Sequence, residues 1–174
     1  MRKSHCLLGA LLIAFCVTGA PRHVFAQAKM ASEDKAGIQA LEKQYNDAFN
    51  AKDINAIMAC YAPGKSLFVF DAVPPRQYPS WDAYKRDWES LFAAYPGPVT
   101  NAISEQSIAV VGSVAYGHNI QTASFTRKDG TKLDVVIRVT DVYRKIKGKW
   151  LIVQEHVSFP VDLDTGKADL MSKP

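Results

Sequence analysis

Residues 138–160 read RVTDVYRKIKGKWLIVQEHVSFP and contain two strand patterns joined by a turn. The first pattern covers 133–144 and is dominated by β-branched residues, and the second covers 150–159. The Lys-Gly pair at 147–148 predicts the turn, because glycine adopts the backbone angles of a tight hairpin. Pro160 ends the second strand, since proline cannot donate to a strand ladder. The segment therefore predicts the closing hairpin of an antiparallel sheet.

Further strand patterns precede this hairpin. Segment 99–107 is one strand candidate. Segments 108–111 and 114–125, separated by a Gly-Ser pair, suggest a hairpin, and a Lys-Asp-Gly turn at 128–130 follows them. A shorter strand rich in aromatic residues, SLFVFD, covers 66–71. Together with the hairpin, these segments predict a curved antiparallel sheet.

The first part of the chain is mainly helical in pattern, with apolar residues at helical spacing. A first helix is predicted over 33–52 with Ser32 as its N-cap, and Asp53 caps a short second helix. A third helix begins after Ser80 and ends near Pro96. Its large side chains recur every three or four residues: Trp81, Tyr84, Trp88, Leu91, Phe92 and Tyr95. Helices packed on one face of a sheet give an α+β fold, with room for a ligand between the layers.

The N-terminus has the three-part layout of a secretory signal. Arg2 and Lys3 are basic, 7–17 is mostly apolar, and Ala-Gln-Ala at 26–28 fits a cleavage site. Cleavage there removes residues 1–28 and predicts a periplasmic or secreted protein. An uncleaved anchor is the alternative, but the apolar run is shorter than the roughly 20 residues that a transmembrane helix needs.

The remaining chain is expected to form one domain at 29–160 and a polar, mobile tail at 161–174. The full chain carries a net charge of +4, but its basic residues are scattered or lie in turns, so nucleic-acid binding is not expected. Beyond the predicted signal, the sequence has no second apolar run that would predict a membrane span. Cys60 is the one cysteine beyond the signal, and its apolar neighbours predict a buried side chain and no disulfide.

Three motifs carry a resemblance to a known superfamily. They are YNDAFNAKDINAIMACYAP at 45–63, FDAVPPRQY at 70–78 leading into WDAYKRDW at 81–88, and the hairpin at 138–160. In order and spacing they resemble the SnoaL-like branch of the nuclear transport factor 2-like superfamily, which includes ketosteroid isomerase. The resemblance implies a cone-shaped fold, with three N-terminal helices packed on a curved antiparallel sheet. It also implies a homodimer, because the uncovered sheet face commonly pairs in these proteins.

The resemblance to ketosteroid isomerase implies roles for three residues. Tyr45 on the first helix and Asp141 on a late strand match its oxyanion hole, and Asp71 after the first strand matches its general base. A carboxyl buried among aromatic rings has a raised pKa, which suits proton abstraction beside a carbonyl. The structural alternatives are a core position for Tyr45 and a loop-stabilising hydrogen bond for Asp71. Strand alternation puts Asp141 and Arg138 on opposite faces, so only one of them lines the pocket unless a bulge intervenes.

His156 on the last strand is a further acid–base candidate, because histidine titrates near neutral pH. Alternation places it on one face with Trp150 and Gln154, and we interpret that face as the pocket lining. A structural histidine held by a hydrogen bond is the alternative. His118 is a candidate partner, but no ligand spacing supports a metal site. The sequence has no glycine-rich phosphate loop, so no cofactor is expected.

These residues predict an aromatic-lined pocket for a small hydrophobic molecule. The candidate catalytic residues of an isomerase or lyase are Asp71, His156, Tyr45 and Asp141. The candidate substrate-binding residues are aromatic or polar: Tyr61, Trp81, Tyr84, Trp88, His118, Arg138 and Gln154. The alternative is a non-catalytic ligand-binding or dimeric interaction domain, because one fold hosts many functions.

Overall fold

The computed structural model describes residues 20–173, with side chains from residue 29 onward. Within that range the helices are α1 (Ala20–Asn50), α2 (Ile54–Met58) and α3 (Trp81–Ala94). The strands are β1 (Phe68–Phe70), β2 (Val99–Val111), β3 (Val114–Thr126), β4 (Lys132–Ile146) and β5 (Lys149–Ser158). The predicted α+β fold, with three helices on a curved and unclosed sheet, is confirmed. Most of the predicted signal, 1–28, lies outside the described residues.

The sheet has the strand order β1-β5-β4-β3-β2. Strands β2 to β5 pair in antiparallel fashion, as predicted from the hairpin signals. β1 instead pairs with β5 in parallel, with Phe70 beside His156, so the sheet is mixed. This pairing is available because α3 and three strands separate β1 from β5, which gives the chain the long connection that parallel strands need.

The helix ends match the predicted caps at α2 and α3 but not at α1. The Asp53 carboxylate accepts the N–H of Ala56 at 3.0 Å, and the Ser80 hydroxyl accepts the N–H of Ala83 at 3.3 Å. α1 already begins at Ala20, so the predicted start after Ser32 is wrong. Residues 22–36 contain neither glycine nor proline and include several strong helix formers, so nothing in this segment ends the helix.

A β-bulge in β5 decides which of its residues face the helices. The pairing with β4 skips Val153, which is therefore an extra residue on β5. Before the bulge the buried residues are at even positions, Trp150 and Ile152, and after it they are at odd positions, Glu155 and Val157. The bulge thus exchanges the two faces of the strand, because strand side chains alternate with a period of two.

The C-terminal segment folds back onto the sheet. Val161 forms a β-bridge with Ala168, and the N–H of Val136 donates to the carbonyl of Leu170 at 2.7 Å. β5 pairs with β4 only from Arg138 onward, so the part of this β4 edge before Arg138 is open. The contact with Leu170 gives a backbone N–H of that open edge its hydrogen-bond partner. The tail predicted at 161–174 therefore contacts the sheet at Leu170, and its mobility stays a prediction.

The core lies between the helices and the inner face of the sheet. It includes Cys60, which is free and buried as predicted. Within residues 20–173, no helix combines the length and the apolar character that crossing a membrane requires.

Candidate functional site

A cavity of about 310 Å³ lies between α1, α3 and the inner face of the sheet. This volume falls at the lower end of the range for small-molecule sites, about 300–1,000 Å³. Its wall is mainly apolar, with both aromatic and aliphatic side chains. The ring centroid of Phe49 on α1 lies 5.6 Å from that of Trp88 on α3 and 5.8 Å from that of Phe125 on β3. Both pairs meet edge to face, a favoured aromatic geometry that fixes the shape of the wall.

Two carboxyls on the cavity wall, Asp71 and Asp87, form what we call the acid pair. Asp71 directly follows β1, and its carboxylate accepts the N–H of Ala72 at 2.6 Å. Its other oxygen lies 3.3 Å from the hydroxyl oxygen of Tyr84. Asp87 on α3 accepts the hydroxyl of Tyr78 at 2.6 Å. Burial, and then the neighbouring charge of Asp87, raise the pKa of Asp71 to about 6. Asp71 is therefore able to exchange a proton close to neutral pH.

A carboxyl–tyrosine network extends from Tyr84 on the cavity wall into the protein behind it. Its six residues are Glu42, Tyr61, Tyr84, Asp141, Tyr143 and Glu155. Glu155 accepts the hydroxyls of Tyr84 at 2.7 Å and Tyr61 at 2.9 Å. The hydroxyl of Tyr143 lies 2.8 Å from Glu42 and 3.3 Å from Asp141. Asp141 is the cross-strand neighbour of Glu155. Because Tyr84 also contacts Asp71, the network reaches from α1 to the acid pair.

The carboxyls of this network are buried without a cationic partner: the ion pairs in residues 29–173 involve other side chains. Burial raises the pKa of Glu155 to about 7. Burial, and the charges of Glu155 and Glu42, raise the pKa of Asp141 well above its usual range. Burial also raises the pKa of Glu42. These groups therefore keep their protons to higher pH than exposed carboxyls do.

A second polar group, the amide cluster, comprises Asn46, Asn50, Asn101 and Gln121. The side-chain N–H₂ of Asn101 donates to Gln121 at 2.9 Å and to Asn46 at 3.1 Å. The Oδ1 atom of Asn101 and the indole N–H of Trp88 are buried, and neither has a hydrogen-bond partner among residues 29–173. Both residues line the cavity, but these two atoms have almost no accessible surface and therefore face the surrounding protein and not the open space.

The sequence profile of the SnoaL-like domain matches residues 38–162. The chain belongs to the SnoaL-like domain family. No curated protein matches it.

Solved structures share the fold of this SnoaL-like domain. An NTF2-like protein of unknown function from Pseudomonas putida KT2440 has a TM-score of 0.74 and 27% identity, over 82% of this chain and 98% of that one. An NTF2-like superfamily protein from Salmonella enterica serovar Typhimurium has a TM-score of 0.66 and 18% identity, over 82% and 99%. A ketosteroid isomerase-like protein from Erwinia carotovora atroseptica has a TM-score of 0.60 and 22% identity, over 71% and 93%.

The SnoaL-like domain brings part of the predicted site to the cavity. The predicted residues on its wall are Tyr45, Asp71, Tyr84 and Trp88. Tyr61 and Asp141 are buried, but they belong to the network and not to the cavity lining. Asp141 therefore does not join Tyr45 at the cavity wall, as the resemblance to ketosteroid isomerase implied. Trp81 is also outside the lining; its indole N–H donates to the carbonyl of Met58 at 2.8 Å and ties α3 to α2.

The other predicted residues are exposed on the outer face of the sheet: His118, Arg138, Gln154 and His156. The strand register places His118 and His156 on either side of Thr140. The prediction that His156 and Gln154 face the pocket is wrong, because the extra residue Val153 exchanges the faces of β5. On β4, unbroken alternation turns Asp141 inward and Arg138 outward. In the part of the chain with described side chains, no group of three or more His, Cys, Asp or Glu is placed to hold a metal.

Sequence reasoning missed four polar residues of the site region: Asp87, Asn101, Gln121 and Glu155. Three of them had a usable signal in the pattern of their own element. Asp87 lies three residues after Tyr84, next to the aromatic stripe of α3. Asn101 and Gln121 share a strand face with buried apolar neighbours, two residues after Val99 and two before Ala123. Only Glu155 depended on the bulge, which no local pattern indicated.

Proposed function

We propose that this SnoaL-like domain binds a small, largely apolar molecule in its cavity and that Asp71 exchanges a proton with it. The observation that carries the proposal is the Asp71 carboxyl on an aromatic cavity wall, with its pKa raised to about 6. A carboxylate in such a site is a stronger base than an exposed one and is still ionised at neutral pH.

The reaction that fits is an isomerisation or elimination of the ketosteroid-isomerase type. The Asp71 carboxylate takes a proton from a carbon beside a carbonyl, and the electron pair of that C–H bond moves into an enolate. Tyr45, which lines the cavity, supplies a hydrogen bond to the enolate oxygen. The Asp71 carboxylic acid then returns its proton to a different carbon, which restores the carboxylate.

A small β,γ-unsaturated ketone, cyclohex-3-en-1-one, tests this chemistry, because its conjugated product absorbs in the ultraviolet. We expect Asp71→Asn to reduce turnover by at least about 100-fold, since general bases contribute on that scale. Asp82→Asn on the exposed side of α3 is the charge-matched control and keeps wild-type turnover. The wild-type rate is expected to rise with pH through about 6, because the ionised form of Asp71 is the base. Equal turnover by wild type and Asp71→Asn would remove Asp71 from this role.

The second candidate is a non-catalytic ligand-binding or dimeric interaction domain. The observation that favours it is Asp141, which lies in the network behind the wall and leaves the expected oxyanion pair incomplete. Binding of the ketone with no turnover at any pH between 5 and 9 would support this function over the isomerase.

We also propose that the protein is exported and forms a homodimer. Export is supported by the signal pattern at 1–28. Dimerisation is supported by exposed apolar side chains near the tip of the β2–β3 hairpin, Val111, Val114 and Tyr116. N-terminal sequencing of the protein from a periplasmic extract tests export. Light scattering of wild type and Tyr116→Lys tests dimerisation. A mature chain that retains residues 1–28, or a monomeric wild type, would overturn the respective proposal.

A further inference from the structure

The hydroxyl of Tyr84 on α3 lies between two carboxyls, one at the end of β1 and one on β5. Its oxygen is 2.7 Å from Glu155 Oε1 and 3.3 Å from Asp71 Oδ2. A tyrosine hydroxyl has a single proton, so it donates to only one of the two carboxyls at a time. The other carboxyl then faces a lone pair of the hydroxyl oxygen, which favours its protonated form. Asp71 and Glu155 therefore compete for one hydrogen bond.

The charge of Glu155 decides the direction of this hydrogen bond. When Glu155 is ionised, the Tyr84 hydroxyl donates to it, because the shorter contact is then charge-assisted. When Glu155 is protonated and Asp71 is ionised, the Glu155 acid donates to the Tyr84 oxygen, and the hydroxyl proton turns to the Asp71 carboxylate. The Asp71 carboxylate is thus stabilised by Tyr84 in one state of Glu155 and not in the other.

The surroundings of Glu155 leave its charge uncompensated. Its side chain is buried, and the ion pairs among residues 29–173 include neither Glu155 nor Asp71. The titratable groups that face Glu155 are acids and tyrosines: Glu42 and Tyr45 on α1, Tyr61 after α2, Asp71 after β1, Tyr84 on α3 and Asp141 on β4. Asp71 also faces Asp87 on α3 and Tyr78 in the loop before α3.

Both carboxyls titrate in the pH range in which the protein would act. Burial raises the pKa of Glu155 to about 7. Burial, and then the charge of Asp87, raise the pKa of Asp71 to about 6. Asp71 therefore loses its proton first, while Glu155 is still protonated, and Glu155 ionises in a second step beside a charged Asp71.

We propose that Glu155 is a positioning residue for the reaction at Asp71: through the Tyr84 hydroxyl, its protonation sets how strong a base the Asp71 carboxylate is. Protonated Glu155 makes Asp71 the weaker base, because Tyr84 then stabilises the Asp71 carboxylate. Ionised Glu155 makes Asp71 the stronger base, because it takes that hydrogen bond away and adds a nearby negative charge. The inference rests on the proposed function for the role of Asp71 as base, but the coupling of the two carboxyls is measurable without substrate.

The coupling is tested by NMR titration of the Asp71 carboxyl carbon in protein labelled with ¹³C in its aspartate side chains. In the wild type we expect two steps, one near pH 6 when Asp71 ionises and one near pH 7 when the Tyr84 hydroxyl turns to Glu155. Glu155→Gln and Tyr84→Phe are each expected to show one step, because the first cannot ionise and the second has no hydroxyl. The signal is assigned by its absence from Asp71→Asn.

Glu42→Gln is the matched control for the loss of a buried carboxyl. Glu42 belongs to the same network, but it lies 2.8 Å from the hydroxyl of Tyr143 and does not contact Tyr84. This variant is expected to keep both steps in the Asp71 titration. Loss of the second step in Glu42→Gln would overturn the assignment to Glu155.

The dependence of kcat/KM on pH gives the functional readout, with cyclohex-3-en-1-one as substrate. In the wild type, kcat/KM is expected to rise through about pH 6 and again, by roughly threefold, through about pH 7, because a stronger base transfers the proton faster. Glu155→Gln is expected to keep the first rise and lose the second. Tyr84→Phe is expected to move the first rise upward by at least about half a pH unit, since Asp71 loses a hydrogen bond to its charged form. A purely structural role of Glu155 would lower kcat/KM equally at every pH.

The outcomes distinguish this inference from the proposed function. If Asp71 titrates in one step in the wild type, or if Glu155→Gln keeps both rises of kcat/KM, the inference is overturned while Asp71 stands as the base. If Asp71→Asn turns over the ketone as fast as the wild type, the proposed function fails, and the positioning role of Glu155 fails with it whatever the titration shows.

Discussion

The interior of this SnoaL-like domain contains two polar groups that satisfy burial in different ways. The carboxyl–tyrosine network surrounds acids such as Glu155 and Asp141 with tyrosine hydroxyls, and its hydrogen bonds depend on which acids hold protons. The amide cluster around Asn101 uses neutral groups that carry both donors and acceptors. In both groups most buried polar atoms have a hydrogen-bond partner. Only the carboxyl–tyrosine network changes its charge within an ordinary pH range. The network is therefore expected to couple stability to pH, and the amide cluster is not.

The largest effect is expected from removing the acceptor at the centre of the network. Glu155→Ala leaves the buried hydroxyl of Tyr61 without its partner and leaves that of Tyr84 with only the longer contact to Asp71, and each such loss costs about 1–3 kcal/mol. We expect the free energy of unfolding at pH 5 to fall by roughly 4 kcal/mol, measured by urea denaturation. At that pH the Glu155 carboxyl is protonated, because its pKa is raised to about 7, so no relief of buried charge offsets the loss.

Glu155→Gln is the matched control, because the amide keeps an oxygen for the tyrosine hydroxyls. Its free energy of unfolding at pH 5 is expected to stay within about 1 kcal/mol of wild type. A similar loss in both variants would mean that the carboxyl shape, and not its acceptor role, stabilises the network.

The next largest effect is expected in how the free energy of unfolding depends on pH. Burial raises the pKa of Glu155 from 4.5 to about 7 in the folded protein, so the folded state binds more protons than the unfolded state between these values. Stability is then fully present below about pH 4.5 and is lost as pH rises towards 7. Glu155 alone accounts for up to roughly 3 kcal/mol, at about 1.4 kcal/mol per pKa unit. Denaturation curves from pH 4 to 8 measure this slope, and Glu155→Gln is expected to reduce it; a slope equal to that of wild type would contradict the assignment.

The amide cluster is expected to give a smaller and pH-independent effect. Asn101→Ala removes the donor to Gln121 and Asn46 and is expected to lower the free energy of unfolding by about 1–2 kcal/mol. The curves of stability against pH for wild type and Asn101→Ala should run parallel from pH 4 to 8. Curves that converge at either end would show that the two polar groups are coupled.

The smallest effect is expected on the outer face of the sheet. His156 is exposed and contacts the ring of Phe70 at 5.8 Å between centroids. His156→Ala should change the free energy of unfolding by less than about 0.5 kcal/mol and leave the turnover of cyclohex-3-en-1-one unchanged. A tenfold loss of turnover would show that the outer face takes part in the reaction.

Local sequence patterns predicted most of the fold. The caps at Asp53 and Ser80 lie where predicted, because capping depends on residues within one turn of each other. The large residues of α3 recur at helical spacing, and Tyr84 and Trp88 accordingly reach the cavity. Asp71 was found at the end of its strand, in a position that depends only on the strand and the loop after it.

The features that local sequence patterns did not predict concern non-local pairing. The parallel partner of β1 and the anchoring of the tail at Leu170 both depend on which strand edge is open, and an open edge is a property of the assembled sheet. The inward turn of Glu155 and the outward turn of His156 depend on the bulge at Val153, which is visible only in the pairing with β4.

By itself, the amino-acid sequence determined the order of helices and strands, the caps and the aromatic character of the wall, because these follow from residues close together along the chain. Only the tertiary structure decided which acids face the cavity and which are buried behind it. The physical reason is that one extra residue in a strand reverses every side chain beyond it, and the cost of that reversal is set by the neighbouring strand and helices.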